Sequence, residues 1–157
     1  MENRQRPEKF VPEVTSKLRL GRRQVAPRVI RNASGINVYG RRIKSLIFTT
    51  DVATICYTDA DAILAVYPYT PHPAIIEAIT TVATAPVFAG VGGRITDGSR
   101  SATVAQFAEA KGVLGIVVNS PTKIDTIKLI NEWIDAPIIG TISSEYDDIS
   151  GKLAAGV

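Results

Sequence analysis

Residues 85–121 read APVFAGVGGRITDGSRSATVAQFAEAKGVLGIVVNSP, a stretch that decides the fold because strand, glycine loop, helix and strand follow one another within it. The run 86–89 is short, apolar and rich in β-formers, as a strand buried on both faces requires. Gly90, Gly92 and Gly93 then break it, and Asp97 or Ser99 caps the helix that follows. Within that helix Ala102, Ala105, Phe107, Ala108 and Val113 place small and apolar side chains on one side. Gly112 ends it, and 113–118 forms the next buried strand.

The same βα pattern recurs on both sides of this module. A strand over 45–50 ends at Asp51 and is followed by a helix over 52–57. A second strand over 62–67 leads through the loop 68–73 to a helix over 74–82. Beyond the module, a helix over 123–134 turns Ile124, Ile127, Ile130 and either Leu129 or Trp133 inward. A strand over 137–142 then ends at Ser143, Ser144 and Glu145, and a last helix covers 146–155.

Strands that are nearly continuous in apolar residues and alternate with helices form a parallel sheet, because each right-handed crossover covers a face. Two architectures use this pattern. One is a (β/α)8 barrel of TIM type with five of its eight units present; the other is a five-stranded, doubly wound, flavodoxin-like sheet. The ending LAAGV (153–157) reads as a barrel helix handing over to a further strand, with glycine as cap, and leans toward the interrupted barrel.

A chain of 157 residues with 45% apolar content suffices for one core. Its single cysteine, Cys56, excludes an internal disulfide, and its single histidine, His72, leaves no cluster for zinc or a catalytic dyad. No segment approaches a membrane span, and the amino terminus has no apolar signal core, so a cytoplasmic protein without membrane contact is expected. Charge is unevenly spread: residues 1–44 hold 12 Lys or Arg against 3 Glu, and residues 45–157 hold 6 against 12 acids. The chain therefore divides into a basic leader (1–44) and a βα-repeat domain (45–157). In the leader a short helix between 12 and 24 carries Val14, Leu18 and Leu20. INVY (36–39), between two glycines, suits a strand or hairpin arm that closes the bottom of a sheet or barrel. The basic leader either folds onto an acidic domain, its own or a neighbouring subunit's, which is the favoured reading, or meets nucleic acid.

Parallel strands bring their carboxyl ends together, so a ligand site is built there. That collects Thr49, Thr50 and Asp51; Tyr67 and Tyr69; Gly92, Gly93 and Arg94; Asn119 and Ser120; and Ser143, Ser144 and Glu145. Asp51 and Glu145 have the chemistry of a general acid–base pair, and Arg94 that of a forked contact to phosphate or carboxylate. Thr50, Tyr67, Gly92, Gly93, Asn119 and Ser143 complete the ligand-binding set. Each has a structural alternative: Asp51 and Glu145 as helix caps, Arg94 as a partner of Asp97. The glycine spacing is not that of a dinucleotide fingerprint, and no cofactor or metal is expected. His72, between two prolines, reads as a solvent contact on the ligand side.

The run from Pro86 to Asn119, with PVFAGVGG at one strand end and GVLGIVVNS at the next, resembles the phosphosugar-binding (β/α)8 barrels. These include keto-acid phosphate aldolases, hexosamine-phosphate epimerases and glycerol-phosphate-responsive antiterminator proteins. With its basic leader and FTTD (48–51), the chain looks nearest to uncharacterised bacterial barrel proteins loosely labelled hydrolases, of which it would supply the amino-terminal five units. The resemblance implies a small phosphorylated or carboxylated metabolite as ligand and a lyase or epimerase reaction. It implies, as alternative, a metabolite-sensing regulatory protein whose leader touches RNA. Barrels of this group grip phosphate mainly on their last two units. Lys44, Lys111 and Lys123 do not take the interior position a Schiff base needs. Two bare sheet edges imply a homo-oligomer or a missing segment supplied from elsewhere.

Overall fold

The structure, a computed structural model, describes residues 10, 12–13, 24–93 and 95–157. The short helix expected between residues 12 and 24, much of the basic leader, and Arg94 lie outside the described residues. After a 3-10 helix (Arg28–Asn32), β1 (Ile36–Val38) and β2 (Arg41–Ile43) pair antiparallel as the expected hairpin. Its two-residue turn puts both Tyr39 (φ 48) and Gly40 (φ 76) in the left-handed region, the geometry that matches the twist of the flanking strands.

The repeat follows as β3 (Leu46–Phe48), α1 (Val52–Tyr57), β4 (Ala62–Ala65), α2 (Pro73–Val82), β5 (Val87–Gly92), α3 (Ser99–Ala110), β6 (Gly115–Val118), α4 (Ile124–Trp133), β7 (Ile138–Gly140) and α5 (Ile149–Ala154). The five strands of the repeat are all parallel and lie in the order β3-β4-β5-β6-β7. Each crossover thus advances by one strand in the same direction. All five helices cover one face: Ile63, Val87, Ile116 and Ile138 from the strands pack with Ile55, Ile76, Ala105 and Ile127 from the helices and with Ala155, the residue that ends α5. A doubly wound sheet reverses direction at a switch point and carries helices on both faces. Neither feature is present, so the fold is of TIM-barrel type and the flavodoxin-like alternative falls.

The other face of the sheet is the concave interior. There Ile43, from the hairpin, closes over Ala62, Phe88 and Val117, with Val38 and Leu114 packed alongside. The hairpin therefore plugs the amino-terminal end of the sheet, as expected of it. Its tip reaches the far side, where the Tyr39 hydroxyl donates to the carbonyl of Asp135, just before β7. Two carboxylates clip the leader to the repeat: Asp59 accepts from the Ala26 amide (2.6 Å), and Asp61 accepts from the amides of Lys44 and Ser45. Gln24 adds a parallel bridge to Thr58, and among the described residues no ion pair joins 24–44 to the repeat.

Among the described residues β3 and β7 each have one partner, and the inner side chains of β3, Leu46 and Phe48, are 46% and 67% exposed. Unpaired parallel edges next to open apolar surface favour association. Light scattering on the purified chain is expected to give a mass above that of one chain, rising with concentration; a monomer at all concentrations would contradict this.

Three local expectations are corrected. β5 runs on through Gly90, Val91 and Gly92 instead of breaking at the glycines. A Cβ on Gly90 would stand 3.2 Å from Val66 Cγ2, so this glycine marks close approach of β4, not a strand end. The register shift between Gly90 and Gly92 is a bulge that bends the strand at the site. Neither Asp97 nor Ser99 caps α3. Gly98, at φ 58, is the cap residue, because the Asp97 carboxylate is drawn away to Lys123 and Thr126. The last helix is also shorter than expected, since Asp147 is held in the preceding loop. Gly112 does end α3: its amide and that of Val113 bond back to Glu109 and Ala108, the two bonds of a left-handed glycine cap.

Candidate functional site

The carboxyl ends of β4, β5 and β6 surround a cavity of about 250 Å³. Four of the expected ligand-binding residues line it: Tyr67, Gly92, Gly93 and Asn119. Tyr67 follows β4, and its hydroxyl accepts from the His72 amide (2.9 Å), which ties the proline-rich loop 68–71 into a wall. His72 is exposed, as expected of it, and also caps α2, its Nδ1 accepting from the Ala74 amide (3.1 Å).

The floor is set by the end of β5. The Thr96 carbonyl accepts from both the Gly93 amide (3.0 Å) and the hydroxyl of Ser101 (2.9 Å), which folds the loop after β5 back over α3. A Cβ on Gly92 would collide with Ser101 Oγ and stand 3.1 Å from the Thr96 carbonyl oxygen. On Gly93 it would stand 3.0 Å from Asn119 Nδ2. These glycines are needed for close packing of loop, helix and Asn119; the amide of Gly93 is spent on Thr96.

Beyond Asn119 a second polar group forms at the ends of β6 and β7. Ser143 Oγ donates to Ser120 Oγ (2.7 Å), which donates to Asp147 Oδ2 (2.8 Å), and the Ser143 amide donates to the same carboxylate oxygen (2.8 Å). Lys152, buried on α5, completes it with Nζ 3.8 Å from that oxygen and 3.3 Å from the Thr141 carbonyl. The Ser143 amide and Ser120 hydroxyl, with the nearby ammonium, hold the Asp147 carboxyl below its ordinary value. A carboxylate so engaged is a poor base, and its evident work is to fix the loop that carries Ser143.

The remaining expected residues stand apart from the cavity. Asp51 caps α1, accepting from the Thr54 amide (2.7 Å), and this bond lowers its pKa. Thr50 lies beside it, half-buried. Glu145 is exposed in the loop before α5 and has no hydrogen bond among the described residues. Arg94 is outside the described residues, between Gly93 and Ile95, which both line the cavity. Asp97, the partner considered for Arg94, pairs with Lys123 Nζ at 2.7 Å and also accepts from the Thr126 hydroxyl. Thr96, Ser101, Asp147 and Lys152 were not singled out by the sequence. Their pairings are mostly short in sequence, Ser101 with Thr96 and Lys152 with Asp147, but they depend on the loop conformations after β5 and β7, which no residue pattern marks. Among the described residues there is no group of His, Cys, Asp or Glu that would hold a metal ion.

Asp51, Asp61, Asp97 and Asp147 are all shifted the same way, below the ordinary value of 3.8. Such groups bind protons more weakly folded than unfolded, so their contribution is complete above that value and is lost as pH falls through the folded pKa values. The melting temperature is therefore expected to fall steeply below about pH 4, with the fall blunted in Asp61→Asn, whose carboxylate is held down first by the Lys44 amide. An unchanged profile in that variant would remove Asp61 from the account.

No family model and no curated protein matches the chain. Among solved structures it is similar to a protein described as a phosphonomutase from Burkholderia cenocepacia J2315, at 16% identity and a TM-score of 0.50, over 68% of this chain and 53% of that one. It is also similar to a dihydrodipicolinate synthase (21%, TM-score 0.45, 57% of this chain and 36% of that one). A third likeness is to the 4-hydroxy-tetrahydrodipicolinate synthase of the thermoacidophilic methanotroph Methylacidiphilum fumariolicum SolV (18%, TM-score 0.47, 57% and 35%). The chain spans between about a third and a half of the length of these structures. No helix among the described residues is long and apolar enough to cross a membrane. At 16% identity the likeness to the phosphonomutase structure carries architecture alone, and it agrees with the one-way strand order in giving this chain five parallel βα units of TIM-barrel type.

Proposed function

We propose that the chain belongs to a barrel enzyme that binds a small phosphorylated or carboxylated metabolite at the carboxyl ends of its strands and acts on it as a lyase or epimerase. The observation that carries this reading is the convergence of Tyr67, Gly92, Gly93 and Asn119 on one cavity, where a barrel holds its ligands. Arg94, between two cavity-lining residues in sequence, supplies the cation for the anionic group. Thr50, Asp51, Ser143 and Glu145 stand apart from this cavity, and Asp51, engaged as the cap of α1, is given no acid–base role in this reading. The reducing cytoplasm suits a protein with one unpaired cysteine. The likeness to a phosphonomutase and to synthases is compatible with carbon-skeleton chemistry but does not choose a substrate.

The test is a thermal-shift screen of sugar phosphates and keto acids. At least one is expected to raise the midpoint, and Arg94→Ala is expected to lower the affinity for it about 10-fold or more, as loss of a charge-assisted contact does. No response to any anionic metabolite would reject the reading.

A further inference from the structure

The two outer strands of the sheet differ from each other in a complementary way. In β3 the Ser45 carbonyl accepts from the Ala62 amide (3.1 Å) and the Thr49 amide donates to the Leu64 carbonyl (3.3 Å), so Ser45 and Thr49 face β4. Main-chain groups along a strand turn to alternate sides, and those of Leu46 and Phe48 therefore face outward. In β7 the Pro137 carbonyl accepts from the Ile116 amide (2.9 Å) and the Thr141 amide donates to the Val118 carbonyl (3.0 Å), which turns Ile138 and Gly140 outward. Among the described residues no hydrogen bond from another element reaches these four main-chain positions. The helix layer repeats the pattern: α2, α3 and α4 each lie between two other helices, whereas α1 packs on α2 and α5 on α4. Val52 and Tyr57 of α1 and Ile149 and Leu153 of α5 are exposed.

The two sides also carry opposite charge. Residues 24–61 hold five Arg or Lys against three Asp, and residues 124–157 hold six Asp or Glu against two Lys. The three Asp of the first side are spent on the amides of Thr54, Ala26 and Lys44, while Arg28, Arg31, Arg41 and Arg42 are exposed and form no ion pair among the described residues. On the second side Glu132, Asp135 and Glu145 are likewise exposed and outside any ion pair among the described residues. We infer that these edges are the two halves of one interface: β3 and α1 of one copy of this chain lie against β7 and α5 of a second copy, and the parallel sheet continues across the junction. A βα unit added to either edge must run parallel and carry its helix on the same face, which a right-handed crossover dictates. The chain itself presents the matching half of each edge, and charge draws the basic side to the acidic side. The contact is head-to-tail, so every copy uses one edge of each kind. It is separate from the ligand site, which lies at the ends of the three central strands.

The experiment combines sedimentation with crosslinking of the whole chain. Phe48→Pro removes an outward amide and no bond to β4, so it is expected to fold, as circular dichroism checks, and to weaken association about 10-fold or more. For crosslinking, Cys56→Ser removes the native thiol, and one preparation then carries Phe48→Cys and another Ile139→Cys. Strands pair about 4.8 Å apart, so a thiol crosslinker spanning about 10 Å bridges β3 of one copy to β7 of the next. The mixture is expected to give a covalent dimer containing one chain of each kind, and neither preparation alone is expected to give one. A wild-type chain that stays monomeric at all concentrations would overturn the inference and assign the edges to another occupant. So would association that Phe48→Pro leaves unchanged, or a crosslink that forms as readily within one preparation as between the two, since the copies would then meet through a different surface. If Phe48→Pro does not fold, the crosslinked mixture decides alone.

Discussion

Replacing Phe88 by alanine is expected to lower the unfolding free energy by about 3–5 kcal/mol, the cost of emptying a well-packed site of a large ring. Phe88 is the largest fully buried side chain among the described residues, and it packs the hairpin against the inner face of the sheet. On the concave face it packs with Ile43 of the hairpin, Ala62 of β4 and Val117 of β6. Its register partner on β6 is Gly115, where a Cβ would stand 2.9 Å from two ring carbons. The ring thus occupies the space that a β6 side chain would otherwise fill, and nothing nearby can collapse into the hole. For a domain whose whole stability is of the order of 5–15 kcal/mol, this loss should shift the urea midpoint well to the left with little change in slope. A loss below about 1 kcal/mol, the scale of an ordinary surface change, would mean that the concave face is not packed as described.

The second large effect belongs to Gly92. In Gly92→Ala the new methyl meets Ser101 Oγ and approaches the Thr96 carbonyl, so α3 or the loop after β5 must move, at about 1–3 kcal/mol for an overpacked site. Ser101→Ala alone loses the bond to the Thr96 carbonyl, about 1 kcal/mol. In the double variant the oxygen that collides is gone, so the combined loss should fall short of the sum of the two by about 0.5 kcal/mol or more, the mark of coupled neighbours. Chemical denaturation of the four proteins reads this directly. Strict additivity would show that the loop relaxes independently of α3.

The βα alternation was legible because the central strands β4, β5 and β6 are buried on both faces, which leaves a continuous apolar run, while the helices keep a polar side. Helices α1, α2 and α4 stand within a residue of their expected bounds for that reason. The choice between barrel and open sheet was not local. It depends on which way each crossover steps, and residues such as Ile63 and Leu64 look alike in sequence while facing opposite sides of the sheet. Glycine misled for a related reason. Read alone, Gly90 and Gly92 end a strand; in the fold they are places where Val66 and Ser101 come too near for a side chain. At the site, strand-end position alone picked out Tyr67, Gly92, Gly93 and Asn119. It did not foresee that Asp97 would be taken by Thr126 and Lys123, or that Asp147 would gather Ser120 along with its near neighbours Ser143 and Lys152, because Thr126, Lys123 and Ser120 come from other βα units.

The bond from Tyr39 to Asp135 joins residues 96 positions apart. On a ribosome the hairpin emerges long before its acceptor, so this contact is the last of the base to form, after the intervening units have docked one by one. Changes at Tyr39 should therefore leave the refolding rate nearly untouched and hasten unfolding instead, since a contact made late is absent from the transition state. The turn that looks like a leader's ornament acts as a clasp that governs how long the assembled units stay together.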